Sequence, residues 1–364
     1  MGIFKEIGSN FWLMPEELEV QEIADFNFQF VGPEEYALFS SSGRGAISFL
    51  LTQINKKKVR ALLPLYTCES VIMPFIKRGY AVQFYDINKD LSINEESFHD
   101  GIKKFKPTVV FLHAYFGFDT IGKIRTEYEN LRDQDIIVIE DITHSMFSKF
   151  EKPGADYYLA SIRKWLALPD GGVAISIGKK LKSNTFKTHD ELVNVNVRAI
   201  RMKYEYTKNL DSQLKTEYRK LFYSMEDLLN NDYNFYSMSA LSKTIISKTN
   251  FHDLGAARRS NFSYLLDKLE TNCLVTPIFN QLPDKVVPLY FPVYVNGDRA
   301  KLRAFLAEDE IYAPVHWEIP TECGQQLTET TKNIYESILS LPCDQRYSNE
   351  DMERIINRLS VYPA

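Results

Sequence analysis

Short apolar runs alternate with longer helix-like stretches through the first half of the chain, and this alternation most restricts the fold. Several of the runs are apolar at consecutive positions, as expected for strands that helices cover on both faces. Such repeats are typical of an α/β domain with a mainly parallel sheet. The predicted strands are Val59–Leu65, Ala81–Tyr85, Thr108–His113, Ile136–Glu140, Tyr157–Ser161 and Val173–Ile177, and the predicted helices are Gly45–Gln53, Ser70–Arg78, Glu95–Phe105 and Ile124–Arg132.

The second half of the chain has a different pattern. No glycine or proline occurs from Lys179 to Leu254, and the apolar spacing there predicts long helices. A smaller α+β unit follows. We therefore expect a large domain with its connecting helices at residues 1–235 and a small C-terminal domain at residues 236–364. The predicted elements are helices Asn196–Lys208, Ser212–Leu229, Arg258–Leu269, Asp298–Glu308 and Glu350–Ser360, and strands Val286–Val295 and Tyr312–Trp317.

Composition excludes several classes of protein. With 364 residues, 45% hydrophobic and 25% charged, the chain has the usage of a globular protein long enough for two domains. A net charge of −5 gives no basic surplus for nucleic acid or an anionic membrane. The 4 cysteines form no CxxC pair, so we expect neither a metal centre nor a disulfide framework. The N-terminus has no apolar leader and no apolar stretch reaches about 18 residues, which predicts a cytoplasmic protein.

Two chemically active side chains follow neighbouring apolar runs. Asp141 ends one run, Lys164 comes just after the next, and Gly171-Gly172 opens a third. A lysine can form a Schiff base with the aldehyde of pyridoxal 5'-phosphate (PLP). A carboxylate can keep the pyridine nitrogen of PLP protonated, so that the ring accepts electrons. This arrangement predicts a PLP site with Lys164 and Asp141 as the catalytic residues.

A glycine-containing turn precedes the first predicted helix. The sequence Ser42-Gly43-Arg44-Gly45-Ala46 allows a tight backbone turn whose free N–H groups point at an anion, and the helix dipole adds to the attraction. The turn therefore predicts a phosphate cradle in which Gly43, Arg44 and Gly45 bind the cofactor.

Short motifs along the chain carry a family resemblance. They are SGRGAI (42–47), LPLYTCES (63–70), KRGY (77–80), YDI (85–87), HAYFG (113–117), IEDITHS (139–145), SIRKW (161–165), DGG (170–172), RRSN (258–261) and LSLPC (339–343). In this order they resemble the DegT/StrS group of sugar aminotransferases, PLP-dependent enzymes of fold type I. The resemblance implies a mainly parallel seven-stranded sheet, a small C-terminal domain and a homodimer with active sites at the interface. It also implies transfer of an amino group from an amino acid such as glutamate to a nucleotide-linked keto-sugar.

The same resemblance implies roles for individual residues. Lys164 would form the Schiff base and carry a proton between the substrate carbon and the cofactor, while Asp141 would pair with the pyridine nitrogen. His144 stands where the family has Gln or His close to the ring. The family's phosphate-binding serine stands five residues before the lysine, whereas Ser161 stands three before it.

Other positions match the family less closely. The ring-stacking aromatic of the family falls on either Tyr66 or Cys68, and Arg44 is a departure inside the cradle. Asn234, in NFYSMS, would bind the phosphate held by the partner subunit, although the arginine of the family's motif is missing there. The residues expected on the substrate side are His113, Tyr115 and His316, the last of them followed by Trp317.

Three other functions compete with the aminotransferase. A dehydratase of the same family typically has histidine in place of the lysine, so Lys164 argues against it. Another PLP reaction, such as a condensation or a β-elimination, fits the same fold, because a fold does not fix a reaction. A family member retained as a sensor or scaffold would fit the altered phosphate and stacking positions.

Overall fold

A computed structural model of the chain describes residues 6–20, 26, 28, 30–32, 35–150, 154–182, 185–270 and 272–363. The first five residues, part of the segment in which no leader is predicted, lie outside the described residues. The strands are β1 (Ile7–Gly8), β2 (Glu35–Ser40), β3 (Arg60–Pro64), β4 (Ala81–Tyr85), β5 (Val109–His113), β6 (Ile137–Asp141), β7 (Tyr157–Ala160), β8 (Gly172–Ile177), β9 (Val275–Pro277), β10 (Phe291–Val295), β11 (Ile311–Tyr312) and β12 (Ile338–Leu341).

Helices occupy much of the remaining chain. The α-helices are α1 (Gly43–Gln53), α2 (Glu69–Lys77), α3 (Glu95–Phe105), α4 (Gly122–Arg125), α5 (Tyr128–Asp133), α6 (Asp190–Asn209), α7 (Ser212–Asn231), α8 (Ala240–Lys248), α9 (Phe251–Leu269), α10 (Arg299–Glu308), α11 (Glu329–Ser337) and α12 (Asn349–Ser360). Short 3-10 helices span Pro15–Leu18, Ile162–Lys164 and Thr321–Gln326.

The large sheet has the predicted architecture. Within the described residues it has seven strands, in the order β2-β8-β7-β6-β5-β3-β4. Strands β7, β6, β5, β3 and β4 run parallel to one another, whereas β8 is antiparallel to both of its neighbours. His113, the last residue of β5, lies beside Asp141, the last residue of β6. The predicted α/β fold class is confirmed, and these two side chains meet at the carboxyl edge, where open α/β sheets bind ligands.

Alternate residues of the central strands enter two hydrophobic cores. On β5, Val110 and Leu112 belong to one core, and Val109 and Phe111 belong to the other. Every residue of β5 is buried. Since both faces of the sheet are covered, the strand needs apolar residues at consecutive positions, which is the pattern that the sequence carries.

The second half of the chain connects back to the first. Helices α6 and α7 follow the large sheet and pack against each other. Strands β12, β10 and β9 form a small antiparallel sheet, against which α9 and α10 pack. Strand β1 from the N-terminal segment pairs with β11 in parallel. The division at residues 235 and 236 stays a prediction.

Two differences concern the first half of the chain. Strand β2, absent from the predicted strands, forms an edge of the sheet and is only partly buried, so it lacks a continuous apolar run. The single helix predicted for Ile124–Arg132 is wrong, because the chain forms α4 and α5 with a break between them. At the break the Thr126 hydroxyl donates a hydrogen bond to the Lys123 carbonyl at 2.7 Å, a local bond that competes with the helix.

The strand predicted for Val286–Val295 is wrong in its first half. The backbone N–H of Val287 donates to Ser148 Oγ at 3.0 Å, and that of Leu289 donates to the Phe116 carbonyl at 3.0 Å. These bonds tie the segment to loops of the large sheet, so the ladder of the small sheet begins only at β10.

The strand predicted for Tyr312–Trp317 is wrong beyond its first residue. Strand β11 ends at Tyr312. Pro314 has no N–H to donate to a ladder, although its carbonyl accepts a hydrogen bond from the Ser340 N–H at 3.0 Å. The chain therefore leaves the sheet and carries Trp317 toward the large domain.

Candidate active site

A cavity of about 960 Å³ lies at the carboxyl ends of β5, β6 and β7. Its walls also include the N-terminus of α1, the 3-10 helix that ends at Lys164, and parts of α7 and α10. The predicted site residues that line it are Gly43, Arg44, Cys68, His113, Asp141, His144, Ser161 and Lys164. A cavity of this size is suited to a small-molecule ligand.

Asp141 and His113 form a buried pair, and we call this part of the cavity, with His144 and Trp317, the Asp141 end. His113 Nδ1 lies 3.3 Å from Asp141 Oδ2, and each side chain is 5% exposed. The Thr143 N–H donates to Asp141 Oδ1 at 2.8 Å. His113 Nε2 has no hydrogen-bond partner among the described residues. Because buried polar atoms normally have partners, this end is suited to a polar ligand.

His144 extends the Asp141 end as a neutral imidazole. Its Nδ1 accepts a hydrogen bond from the Phe116 N–H at 3.3 Å. Its ring stacks on that of Trp317, with 26° between the planes and 5.6 Å between the centroids. Burial, and to a smaller extent the neighbouring histidines and Lys164, lowers the pKa of His144 well below its ordinary value. The ring therefore adds no charge to the cavity at neutral pH.

Lys164 ends the 3-10 helix after β7, and its side chain is exposed in the cavity wall. The next residue, Trp165, is fully buried. Its indole N–H donates to the Thr143 carbonyl at 2.6 Å, and the Arg258 guanidinium packs over its ring at 4.6 Å. The buried tryptophan thus fixes the turn that presents the lysine amine to the cavity.

The first turn of α1 lies very close to this 3-10 helix. Ser42 caps α1 by accepting the Gly45 N–H at 3.1 Å. A Cβ on Gly43 would lie 3.1 Å from Ser161 Cβ, and a Cβ on Gly172 would lie 2.5 Å from the Ser42 carbonyl. Since the first N–H groups of a helix have no partner within the helix, this turn offers amide donors to an anion in the cavity.

Two arginines and one carboxylate form another part of the cavity, which we call the arginine end: Arg44, Arg163 and Glu226. Arg163 Nη2 lies 3.2 Å from Glu226 Oε1, and Arg44 Nη2 lies 3.6 Å from Glu226 Oε2. Arg44 Nη1 also donates to Asn230 Oδ1 at 2.5 Å. Arginine stays charged in proteins, so this end has a net positive charge.

Of the two candidates for the stacking residue, only Cys68 reaches the cavity. Tyr66 is fully buried, and its ring packs among Tyr115, Trp317 and Tyr335, with centroid distances of 5.3, 5.2 and 4.9 Å. This position is one of core packing. Trp317, which packs against Tyr66, does line the cavity.

Tyr115 and His316, predicted on the substrate side, also lie outside the cavity wall. Tyr115 is fully buried and donates its hydroxyl to the Tyr66 carbonyl. His316 Nδ1 lies 2.8 Å from Ser340 Oγ, and burial lowers the pKa of His316 to about 3. The neighbouring Trp317, and not His316, lines the cavity.

Gly45 and Asn234 pack on each other outside the cavity. A Cβ on Gly45 would lie 2.8 Å from the Asn234 carbonyl oxygen, so glycine is needed for this approach. Asn234 itself is exposed. Neither residue therefore lines the cavity.

Thr143 and Glu226 are two of the cavity residues that the sequence did not predict. Thr143 Oγ1 accepts the Ser161 N–H at 3.0 Å and thereby joins the turn after β6 to the turn after β7. Its position two residues after Asp141 could have marked it. Glu226 lies within α7, and no motif marks it.

The described part of the chain has no group of His, Cys, Asp and Glu residues that could hold a metal ion. None of its helices is both long enough and apolar enough to cross a membrane.

Comparison of the sequence with protein families gives one match. The model of the DegT/DnrJ/EryC1/StrS aminotransferase family matches residues 217–360. This range begins in α7 and ends in α12, so it includes Glu226 but neither Asp141 nor Lys164. The match confirms the family resemblance that the motifs carry. No curated protein matches the chain.

Solved structures share the fold. Helicobacter pylori PseC, an aminotransferase involved in the biosynthesis of pseudoaminic acid, has a TM-score of 0.67 at 16% identity, over 91% of this chain and 87% of PseC. The aminotransferase TlmJ from Streptoalloteichus hindustanus has a TM-score of 0.66 at 15% identity, over 90% of this chain and 86% of TlmJ. The sugar aminotransferase CalS13 from Micromonospora echinospora has a TM-score of 0.65 at 13% identity, over 90% of this chain and 87% of CalS13. At these identities the likeness shows the fold alone, which this chain shares with the three aminotransferases.

Proposed function

We infer that this chain, which resembles the DegT/DnrJ/EryC1/StrS aminotransferases in its motifs and its fold, is a PLP-dependent sugar aminotransferase. The amino donor is an amino acid, glutamate in our proposal, and the acceptor is a keto-sugar carried by a nucleotide. The observation that carries the proposal is that Lys164 and Asp141 line one cavity at the carboxyl edge of the sheet. An amine and a buried acid in one cavity are the pair that PLP chemistry needs.

The residues of the cavity fit the polar groups of PLP. Asp141 would hold the pyridine nitrogen, and Lys164 would hold the aldehyde carbon. The phosphate would take the amides of the first turn of α1, together with Ser161, Arg44 and Arg163. Bound there, PLP supplies an electron sink for the substrate carbon.

Two contacts fix the position of the Asp141 carboxylate. His113 and the Thr143 N–H both contact its carboxylate, and the side chain is 5% exposed. Since water competes little at such a site, the negative charge would act strongly on a proton at the pyridine nitrogen of PLP. His113 therefore acts through Asp141, by fixing the orientation of its carboxylate.

Lys164 has two tasks in this proposal. Its amine holds the cofactor, and when released it moves a proton at the substrate carbon. Trp165, buried directly after it, fixes the turn from which the amine extends. A fixed turn limits the positions that the amine can take, and this favours proton transfer.

We also propose that the protein is a homodimer with active sites at the interface. Asn234 is exposed and does not line the cavity of its own subunit. Its side chain is thus available to a phosphate held by a second subunit, as the family resemblance implies. Light scattering should give the dimer mass. Mixing Lys164→Ala subunits with Asn234→Ala subunits should restore activity above that of either variant alone.

Borohydride reduction tests the role of Lys164. Protein loaded with PLP should show the visible band of the bound cofactor, and reduction followed by peptide mapping should find the cofactor mass on Lys164. Lys164→Ala should abolish the labelled peptide. Lys179→Ala, at an exposed lysine outside the cavity, should leave it unchanged. Failure of the wild-type protein to take up PLP would refute the enzyme proposal.

Transamination needs a separate measurement. Addition of L-glutamate to the loaded protein should convert bound PLP to its pyridoxamine form, which is followed by absorbance. Nucleotide-linked keto-sugars should then reverse the change. If neither glutamate, glutamine nor another amino acid causes the conversion, the protein binds PLP for a different purpose.

A further inference from the structure

Helix α7 brings a carboxylate to the place where a phosphate would bind. Glu226 lies against Arg163 and Arg44, which come from the 3-10 helix after β7 and from the first turn of α1. The two arginine side chains are 17% and 12% exposed, whereas that of Glu226 is 48% exposed. The carboxylate therefore sits on the open side of two largely buried cations.

The position of Glu226 has no explanation within its own helix. Helix stability is aided by opposite charges three or four residues apart. The residues at those distances from Glu226 are Phe222, Tyr223, Leu229 and Asn230, and none of them is basic. The basic partners of Glu226 come from other elements, so its ion pairs serve the cavity and not α7.

Glu226 is charged under the conditions in which a cofactor binds. Burial alone would raise the pKa of this carboxyl group, but the charges of Arg163, Lys164 and Arg44 outweigh burial and lower its pKa. The carboxylate thus stays ionised at neutral pH. It neutralises one of the two arginine charges and leaves the other.

A ligand is also indicated by features that do not involve Glu226. His113 Nε2 is buried without a partner among the described residues and lies in the same cavity. The first turn of α1 contains Arg44 of the arginine end, and helix N-termini attract phosphate. The cavity thus has one polar group free at the Asp141 end and anion donors at the arginine end.

We propose that Glu226 is a built-in counterion of the phosphate subsite. In the free protein its carboxylate pairs with Arg44 and Arg163. When the cofactor binds, its phosphate monoester replaces this carboxylate as the partner of the two arginines. This inference rests on the proposed function, because it names the phosphate of PLP as the competing anion. Glu226 keeps the two arginines in place without a ligand and weakens the affinity for phosphate in return.

Removal of the competing charge should tighten phosphate binding. Glu226→Gln should lower the Kd of the apoprotein for PLP and for inorganic phosphate by about twofold to fivefold, since a partly exposed ion pair contributes a factor of up to about five. Pyridoxal, which lacks the phosphate, should bind the wild-type protein and Glu226→Gln with equal Kd. Calorimetry measures inorganic phosphate, and cofactor absorbance measures PLP and pyridoxal.

Asp227→Asn is the matched control. Asp227 is the next residue of α7, is exposed, and does not line the cavity. The substitution removes one negative charge from the same helix but leaves the ion pairs of Arg44 and Arg163 with Glu226 intact. It should therefore leave all three Kd values unchanged. In an Arg44→Gln, Arg163→Gln background, Glu226→Gln should lose its effect, since the cations for which it competes are gone.

Several results would overturn the inference. Unchanged or weaker phosphate binding by a folded Glu226→Gln variant would mean that the carboxylate does not compete. Equal tightening of phosphate binding by Asp227→Asn would assign the effect to overall charge, and equal tightening of pyridoxal binding would assign it to the ring.

Two outcomes separate this inference from the proposed function. If the wild-type protein takes up PLP while Glu226→Gln changes nothing, the inference fails and the proposed function stands. If PLP does not bind but inorganic phosphate responds to Glu226→Gln, the proposed function fails and the counterion is supported.

Discussion

The two ends of the cavity are built in different ways. At the Asp141 end the His113–Asp141 pair comes from the ends of two adjacent strands and is almost completely buried. At the arginine end the charged groups come from three separate elements, and Glu226 is half exposed. The first end follows from the register of a parallel sheet, whereas the second depends on how α7 packs against that sheet.

This difference has an energetic consequence. Charges in a buried pair interact strongly and are little affected by salt, while charges near solvent are screened within about 10 Å at moderate ionic strength. The Asp141 end should therefore set the chemistry and be insensitive to salt. The arginine end should set cofactor affinity and respond to salt.

The largest expected effect is at the Asp141 end. Asp141→Asn removes the charge that favours a protonated pyridine nitrogen, so the rate of the glutamate half-reaction should fall at least about 100-fold. Stopped-flow absorbance measures this rate. Asp133→Asn, at the exposed end of α5, is the control and should keep the wild-type rate. A variant at position 141 with more than about a tenth of that rate would show that the carboxylate is not catalytic.

A backbone substitution tests the scaffold of the arginine end. A Cβ on Gly172 would lie 2.5 Å from the Ser42 carbonyl. Gly172→Ala should therefore lower the free energy of unfolding by about 1–3 kcal/mol and weaken PLP binding, because α1 must move. Gly255→Ala is the control, since its Cβ would make an ordinary contact at 3.4 Å inside α9. Denaturant unfolding that gives equal stability for both variants contradicts the close approach.

Salt dependence separates the two ends directly. Arg163→Gln should weaken PLP binding about tenfold, the effect of losing one charge-assisted hydrogen bond. It should also reduce the salt dependence of the Kd for PLP. Arg198→Gln, an exposed change on α6, should alter neither the Kd for PLP nor its salt dependence. If Arg163→Gln retains the salt dependence of the wild type, the arginine end does not bind the phosphate.

The smallest expected effect is on how the free energy of unfolding depends on pH. Burial, with the charges of Lys164 and His113, lowers the pKa of His316 in the folded protein to about 3, whereas the unfolded chain has an ordinary histidine. Between these two pKa values the unfolded state binds more protons, so stability falls as the pH falls. From pH 7.5 to 5.5 His316 should account for a loss of about 1.4 kcal/mol.

Denaturant unfolding at the two pH values measures this loss. His316→Asn should lose less stability on acidification than the wild type does. His252→Asn, at a largely exposed histidine, should behave as the wild type, because its ring is hydrated in both states. Equal pH dependence in all three proteins would mean that His316 is protonated without penalty in the fold.

Much of the large sheet could be predicted because its central strands are buried on both faces. Strands β5 and β6 have apolar residues at consecutive positions, and this pattern is visible in the sequence. Strand β2 is an edge strand with partial exposure, so it has no such pattern. The segment before β10 is apolar too, but its hydrogen bonds go to Ser148 and Phe116 and not to a strand.

The site could be predicted only in part. Asp141 and Lys164 were found because each follows a strand whose position the sequence marks. Tyr66 and Cys68 could not be separated, since neighbouring side chains in a turn point in directions that only the packing fixes. Glu226 left no signal, because a glutamate on a charged helix resembles any solvated residue.

The sequence by itself determined the parallel sheet and the two strand ends at which Asp141 and Lys164 stand. These features depend on local periodicity and on short segments, so they can be read along the chain. Only the tertiary structure decided that Trp317 reaches the cavity and that Glu226 lies on Arg44 and Arg163. Both contacts join elements far apart in sequence, and the face that a helix or turn presents to a distant partner is set by packing.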